Sequence, residues 1–118
     1  MIAGIHHVAL ILKDEKSLQF YERLGFEQTF VLKREQDMIV LLSGHGMQLE
    51  VFVDPRHSER AKGMAEPLGL RHIAFKVDDI EIAAKEYDIA IGPIRTDWTG
   101  IRLAFFEDPE GTVLELHE

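Results

Sequence analysis

An internal repeat constrains the fold of this chain more than any other feature of the sequence. One constant shift, the one that takes position 7 to position 72, aligns IHHVALIL at 5–12 with LRHIAFKV at 70–77, and LEV at 49–51 with LEL at 114–116. The matches include two histidines and two glutamates: His7 with His72, and Glu50 with Glu115. A repeat at a fixed shift indicates one structural unit used twice. We therefore predict two half-domains of similar structure, neither of which could bury its sheet face alone.

Each half has the same predicted order of elements, βαβββ. In the first half, hydrophobic periodicity predicts a strand at 5–12, a helix at 15–24 with Asp14 as N-cap, and strands at 28–32, 38–42 and 47–53. In the second half it predicts a strand at 71–77, a helix at 80–87 with Asp78 and Glu81 as a capping box, and strands at 91–95, 101–107 and 112–117.

These elements predict an α+β fold made of two tandem βαβββ modules. We expect residues 1–118 to form a single domain, with a first module at 1–54, a linker at 55–69 and a second module at 70–118. The linker is rich in proline and glycine, and it contains one candidate helical turn.

Strand alternation places the repeated polar residues on one face of each sheet. Leu49 and Val51 share a face, so Glu50 points the other way, and Glu115 is likewise opposed to Leu114 and Leu116. The same reasoning puts both repeated histidines on the face opposite the leucine-rich one. The leucine-rich faces are expected to pack on the helices.

The chemistry of the four repeated side chains points to a metal site. A buried carboxylate is costly unless it is paired, hydrogen-bonded or bound to a metal. Two neutral imidazoles and two carboxylates balance a divalent ion and leave two of six positions open, which suits Ni²⁺, Zn²⁺, Co²⁺ or Mn²⁺. We therefore predict the metal ligands His7, Glu50, His72 and Glu115.

An alternative interpretation is that each histidine is an ordinary core residue and each glutamate an edge charge. The shared shift favours the metal site over this alternative. The other histidines are expected to be solvated or to have supporting roles: His6, His45, His57 and His117.

Composition excludes several classes of partner. The chain has 13 Lys and Arg against 21 Asp and Glu, a net charge of −8, and the cations do not cluster, so nucleic acids and anionic membranes are not expected partners. No apolar run reaches the roughly 18 residues of a membrane span, and the first residues lack the pattern of a signal peptide. The sequence contains no cysteine, which removes disulfides and thiolate ligands and fits a cytoplasmic location.

The sequence resembles the vicinal oxygen chelate superfamily, which includes glyoxalase I, fosfomycin-resistance proteins, extradiol dioxygenases, methylmalonyl-CoA epimerase and bleomycin-resistance proteins. Four segments carry the resemblance: HHVAL at 6–10, SLQFYERLGF at 17–26, GLRHIAFKVDDI at 69–80 and FFEDPEGTVLEL at 105–116. The nearest likeness is to small bacterial glyoxalase I-like proteins. The family ligand precedes a five-residue apolar run, which selects His7 over His6.

The resemblance implies a fold, a chemistry and an assembly. The sheets of the two modules would form a cup around the metal, and the protein would be a homodimer with metal sites shared between chains. It would be a metal-dependent lyase or isomerase similar to lactoylglutathione lyase. It would act through an enediolate on a small substrate with two adjacent oxygens, of which a thiol hemithioacetal is one candidate. Glu115 matches the catalytic base of the family, and Glu50 is the second choice.

Candidate substrate-binding residues are the aromatic side chains near the predicted site, together with one of the arginines: Phe52, Trp98, Phe105 and Arg102. Arg56, Arg71 and Arg95 are further candidates to bind a substrate carboxylate. Two other functions stay open. A non-catalytic drug-binding protein would not need four ligands, and an Fe²⁺-dependent dioxygenase would use two histidines and one carboxylate.

Overall fold

The computed structural model describes residues 1–60 and 66–118. The chain divides into two compact units, Met1–Ser58 and Glu59–Glu118. The predicted linker at 55–69, with its candidate helical turn, includes positions 61 to 65, which lie outside the described residues.

The first unit contains one helix and one four-stranded sheet. Its elements are β1 (Val8–Leu12), α1 (Glu15–Arg23), β2 (Glu27–Lys33), β3 (Met38–Gly44) and β4 (Met47–Val53). The sheet has the order β1-β4-β3-β2. β1 pairs with β4 in parallel, and the other neighbours are antiparallel.

The second unit repeats this arrangement. Its elements are β5 (Ile73–Lys76), α2 (Ile80–Glu86), β6 (Arg95–Thr96), β7 (Arg102–Glu107) and β8 (Val113–His117). The sheet order is β5-β8-β7-β6, again with a parallel pair, β5 with β8. The predicted α+β fold with two βαβββ modules is therefore confirmed.

The register of the parallel pairs confirms the shift of the repeat. In the first unit Ala9 pairs with Glu50, and in the second Ala74 pairs with Glu115. The antiparallel hairpins differ slightly, because Leu41 faces Glu50 whereas Phe105 faces Glu115. The repeat would align Leu41 with Phe106, so its shift does not extend through β7.

An aspartate begins each helix. The Asp14 carboxylate accepts a hydrogen bond from the Ser17 amide at 3.1 Å, as predicted. In α2 the N-cap is Asp79, whose side chain accepts from the Ile82 amide at 2.9 Å. The prediction of Asp78 as the cap was wrong. Asp79 is the residue that the repeat aligns with Asp14, and it has the extended backbone that an N-cap requires.

The leucine-rich sheet faces form the two cores. In the first unit the buried side chains of the sheet lie against the buried side of α1. The fully buried sheet residues are Leu12, Val40, Leu42, Leu49 and Val51. In the second unit Leu114 is fully buried and Leu116 nearly so, and Ile80 of α2 is also fully buried. Ile73 and Phe75 of β5 are only half-buried.

Several strands differ in extent from their predicted ranges. β1 and β5 begin later, so that His7 and His72 each lie immediately before a strand. β6 is reduced to Arg95–Thr96, whereas the prediction was a strand at 91–95. Pro93 has no N–H to donate to a sheet ladder, which explains why the earlier part of this segment is not a strand. Among residues 1–60 and 66–118, no helix has the length and apolar character needed to cross a bilayer.

Candidate metal centre

The first predicted ligand pair lies at one edge of the β1–β4 ladder. Because Ala9 is paired with Glu50, the side chain of His7, two residues earlier, lies on the same face as the carboxylate. His7 Nε2 is 3.9 Å from Glu50 Oε2, and both side chains are about one-third exposed. The structure therefore brings these two predicted ligands together.

The second pair has nearly the same geometry. His72 Nε2 lies 3.7 Å from Glu115 Oε1 across the β5–β8 ladder. This pair is less exposed than the first, with side-chain exposures of 22% and 9%. One sequence pattern has thus built the same histidine–glutamate pair twice, once in each unit.

Both separations are compatible with two atoms binding one ion. Atoms that each lie about 2.1 Å from a metal are about 3.0 Å apart at a right angle and about 4.2 Å apart on opposite sides. The two measured distances fall between these limits. In addition, His72 Nδ1 is buried without a hydrogen-bond partner among the described residues, which is typical of a site completed by a ligand or water. The residues present fit a divalent ion.

The structure also contains an acidic cluster that the sequence did not suggest. Ligand atoms of Asp79, Glu81 and Glu118 all lie within 4.8 Å of one another. The guanidinium of Arg102 donates to Glu81 and to Glu118, and it holds the pKa of both carboxyls below the ordinary value of 4.5. Two of its three carboxylates are thus ion-paired with an arginine, so we interpret the cluster as an ion-pair network.

Of the predicted substrate residues, the structure brings Phe105 to a ligand pair. Phe105 is the β7 partner of Glu115, and its ring centroid lies 5.3 Å from that of His72 in an edge-to-face contact. The Arg71 guanidinium lies over the same ring, 5.7 Å from its centroid. Phe105 and Arg71 therefore border the second pair.

The other predicted substrate residues have different surroundings. Phe52 follows Glu50 by two residues on the same face of β4, and Arg34 lies 5.9 Å above its ring. Trp98 is 96% exposed in the loop after β6. Arg102 is not brought to a ligand pair, because its side chain is bound to Glu81 and Glu118.

Three of the remaining histidines contact groups other than the two paired glutamates. His6 Nδ1 lies 2.9 Å from His7 Nδ1, and His45 Nε2 donates to the carbonyl oxygen of Leu24. His57 Nε2 lies 3.4 Å from Asp54. Arg56 also donates to Asp54, and these hydrogen bonds hold the pKa of the Asp54 carboxyl well below its usual range.

His117 has two contacts that the expectation of a solvated or supporting histidine did not specify. Its Nδ1 lies 3.5 Å from Glu115 Oε2, and its Nε2 lies 3.8 Å from Asp97 Oδ2. Strand alternation already placed His117 on the same face as Glu115, and that was the signal available in the sequence. The position of Asp97 could not be inferred, because it depends on the loop after β6.

Comparisons with known proteins agree with this fold. The chain is 39% identical to the protein YwkD of Bacillus subtilis (strain 168), over 100% of this chain and 98% of that protein. The crystal structure of a glyoxalase family protein from Enterococcus faecalis matches with a TM-score of 0.87 and 37% identity, over 99% of this chain and 98% of that one.

A more distant match shows the fold alone. It is a variant of the fosfomycin resistance protein FosX from Listeria monocytogenes, crystallised with Mn(II) and 1S,2S-dihydroxypropylphosphonic acid. The match has a TM-score of 0.78 at 20% identity and covers 99% of this chain and 92% of that one.

A family model matches residues 4–116, which is nearly the whole chain. The match includes both histidine–glutamate pairs and every described strand except the last residue of β8. It confirms the resemblance to the vicinal oxygen chelate superfamily that the sequence motifs indicated. The chain belongs to the Glyoxalase/Bleomycin resistance protein/Dioxygenase superfamily.

Proposed function

We propose that this protein is a divalent-metal-dependent lyase or isomerase of the glyoxalase I type. Its substrate would be a small molecule with two adjacent oxygens, such as a thiol hemithioacetal. The observation that carries the proposal is the repeated pair, with His7 3.9 Å from Glu50 and His72 3.7 Å from Glu115. A binding protein without a metal has no need for two such pairs.

The donor set supports a divalent ion. Two neutral imidazoles and two carboxylates cancel a charge of +2 and leave open positions in a six-coordinate site. This set suits Ni²⁺, Zn²⁺, Co²⁺ or Mn²⁺, and the related FosX variant was crystallised with Mn(II). When bound, the ion would act as a Lewis acid toward the two substrate oxygens.

Glu115 is the proposed catalytic base. It would accept a proton from the substrate carbon next to the carbonyl and return it to the neighbouring carbon, so that the overall reaction is an isomerisation. Glu115 is 7% exposed, and Phe105 lies beside it. These surroundings exclude water that would compete for the carboxylate oxygens. The more exposed Glu50 is the second candidate for this role.

Each unit would supply one histidine and one glutamate. A site with four ligands therefore needs the pair from a first unit and the pair from a second unit. We propose that the protein is a homodimer in which His7 and Glu50 of one copy meet His72 and Glu115 of a second copy. A two-fold symmetric pair would then contain two equivalent sites.

Metal analysis of the purified protein before and after treatment with a chelator is the direct test. We expect one divalent ion per chain, and loss of that ion together with thermal stability in His72→Ala. An assay on methylglyoxal with glutathione then tests the substrate class. A protein that binds no divalent metal would favour a non-catalytic binding function, and oxygen-dependent turnover with Fe²⁺ would favour a dioxygenase.

A further inference from the structure

We propose that His117, oriented by Asp97, is a positioning residue that holds one oxygen of Glu115 so that the other oxygen stays directed toward His72. The inference rests on the proposed function, because it assigns to Glu115 the role of a metal ligand with one bound oxygen. It concerns a histidine and an aspartate outside the predicted ligand set.

The two oxygens of Glu115 are divided between two imidazoles. Oε1 lies 3.7 Å from His72 Nε2, and Oε2 lies 3.5 Å from His117 Nδ1. A carboxylate contacted from both sides in this way cannot rotate without losing one contact. The oxygen directed toward the proposed ligand His72 is therefore Oε1.

An aspartate faces the far side of the His117 ring. Asp97 Oδ2 lies 3.8 Å from His117 Nε2. The other oxygen of Asp97 accepts hydrogen bonds from the Thr99 amide at 2.7 Å, the Thr99 hydroxyl at 2.6 Å and the Ile101 amide at 3.0 Å. Because a carboxylate faces each ring nitrogen of His117, either nitrogen that carries a proton points at an acceptor.

The first unit lacks this arrangement, and one reason is the residue at the position of His117. The shift of the repeat places Phe52 where the second unit has His117. A phenyl ring offers no hydrogen-bond donor to the Glu50 carboxylate. The two glutamates are thus unequal: the far oxygen of Glu115 lies 3.5 Å from an imidazole nitrogen, whereas the residue aligned with that histidine in the first unit is a phenylalanine.

Groups that orient a metal ligand through a second contact tune the affinity of the site. Loss of His117 would release Glu115 to offer both oxygens to the ion or to turn away from it. Either change alters the coordination that a bound ion experiences. Co²⁺ is a suitable probe, because its visible absorption depends on coordination number and geometry.

The test compares Co²⁺ affinity and the visible spectrum of the Co²⁺ form in the full-length protein and its variants. His117→Phe introduces the residue that the first unit carries, and we expect Co²⁺ binding about 10- to 100-fold weaker with altered absorption bands. Asp97→Asn should give a change in the same direction. His117→Asn, whose amide can donate from near the Nδ1 position, should recover part of the affinity.

His57→Phe is the matched control, because it removes another histidine that contacts a carboxylate outside the ligand pairs. If the wild type binds Co²⁺, and folded His117→Phe binds it with the same affinity and spectrum, this inference is overturned and the proposed function is not. A wild type that binds no Co²⁺ overturns the proposed function and this inference with it. Circular dichroism of each variant establishes that it is folded.

Discussion

The imidazole Nε2 of His45 lies 2.5 Å from the carbonyl oxygen of Leu24, which attaches the β3–β4 turn to the end of α1. His45 and Gly46 both have positive φ, as in the two-residue turns that match the twist of a hairpin. The turn and the helix end consequently approach closely. Gly44, at the end of β3, lies in this tight region, where a Cβ atom would come within 2.9 Å of the Gly25 carbonyl oxygen.

Gly44→Ala is therefore expected to destabilise the protein. The added methyl group would also lie 3.0 Å from the Phe26 ring and 3.1 Å from its Cα, so backbone must move to make room. We expect a loss of about 1–3 kcal/mol in the free energy of unfolding, measured by urea denaturation. Gly92→Ala is the control, since its Cβ would make an ordinary contact at 3.5 Å. Equal stability of the two variants would contradict the prediction.

Substitution of the two glutamates should separate proton transfer from metal binding. Glu115→Gln retains size but removes the proposed base, so kcat on the true substrate should fall by about 100- to 10,000-fold. The metal content, measured in the same samples, should fall less. Glu50→Gln should lower metal affinity with a smaller effect on kcat. If Glu50→Gln lowers kcat more than Glu115→Gln does, Glu50 is the base.

The Arg102 network should contribute stability that depends on pH. Its hydrogen bonds lower the pKa of Glu81 and of Glu118 below 4.5 in the folded protein. Groups with lowered pKa values stabilise the fold above their unfolded value, and this stability is lost as the pH falls through the folded value. Arg102→Leu should thus destabilise the protein at pH 7, and the difference from wild type should shrink as the pH falls below 4.5.

Urea unfolding of both proteins across this pH range provides the measurement. Arg60→Leu, which removes an exposed arginine elsewhere, is the control for net charge. A constant difference between Arg102→Leu and wild type at all pH values would rule out linkage to these carboxyls.

Subunit mixing tests whether the metal sites are shared between copies. One chain carries His7→Ala and Glu50→Ala, and the other carries His72→Ala and Glu115→Ala. In a shared arrangement each mixed dimer regains one intact four-ligand site, so metal binding and activity should return on mixing. Sites within one chain predict no recovery. A chain that is monomeric at micromolar concentration by light scattering would exclude the shared arrangement directly.

Much of the fold followed from local pattern in the sequence. β4 occupies its predicted range, and Asp14 caps α1 as expected, because alternation and capping depend on neighbouring residues. β6 was mispredicted because the apolar character of 91–95 resembles that of a strand. Gly92 donates one backbone hydrogen bond to Phe105, but the regular ladder with β7 consists of Arg95 and Thr96. Whether a short edge segment forms a strand depends on the neighbouring strand with which it pairs, and not on its own propensity.

The two histidine–glutamate pairs were predictable because the repeat marked them. The constant shift identified each histidine–glutamate pair, and the parallel ladders bring the members of each pair together. The role of Arg102 was not predictable, because its partners Glu81 and Glu118 lie on other elements and contact it only in the folded unit. The contact between Asp97 and His117 was not predictable either, because it depends on tertiary structure that no local pattern encodes.

The parallel pairing of the first strand with the last in each unit also sets an order of events during synthesis. The first histidine–glutamate pair can close only after Glu50 has left the ribosome, and the second only after Glu115 has done so. At roughly 5–20 residues per second, about 3–13 s separate the incorporation of the two glutamates into the chain. Between these two events the chain carries one complete histidine–glutamate pair without the other, so the two pairs form in a fixed sequence.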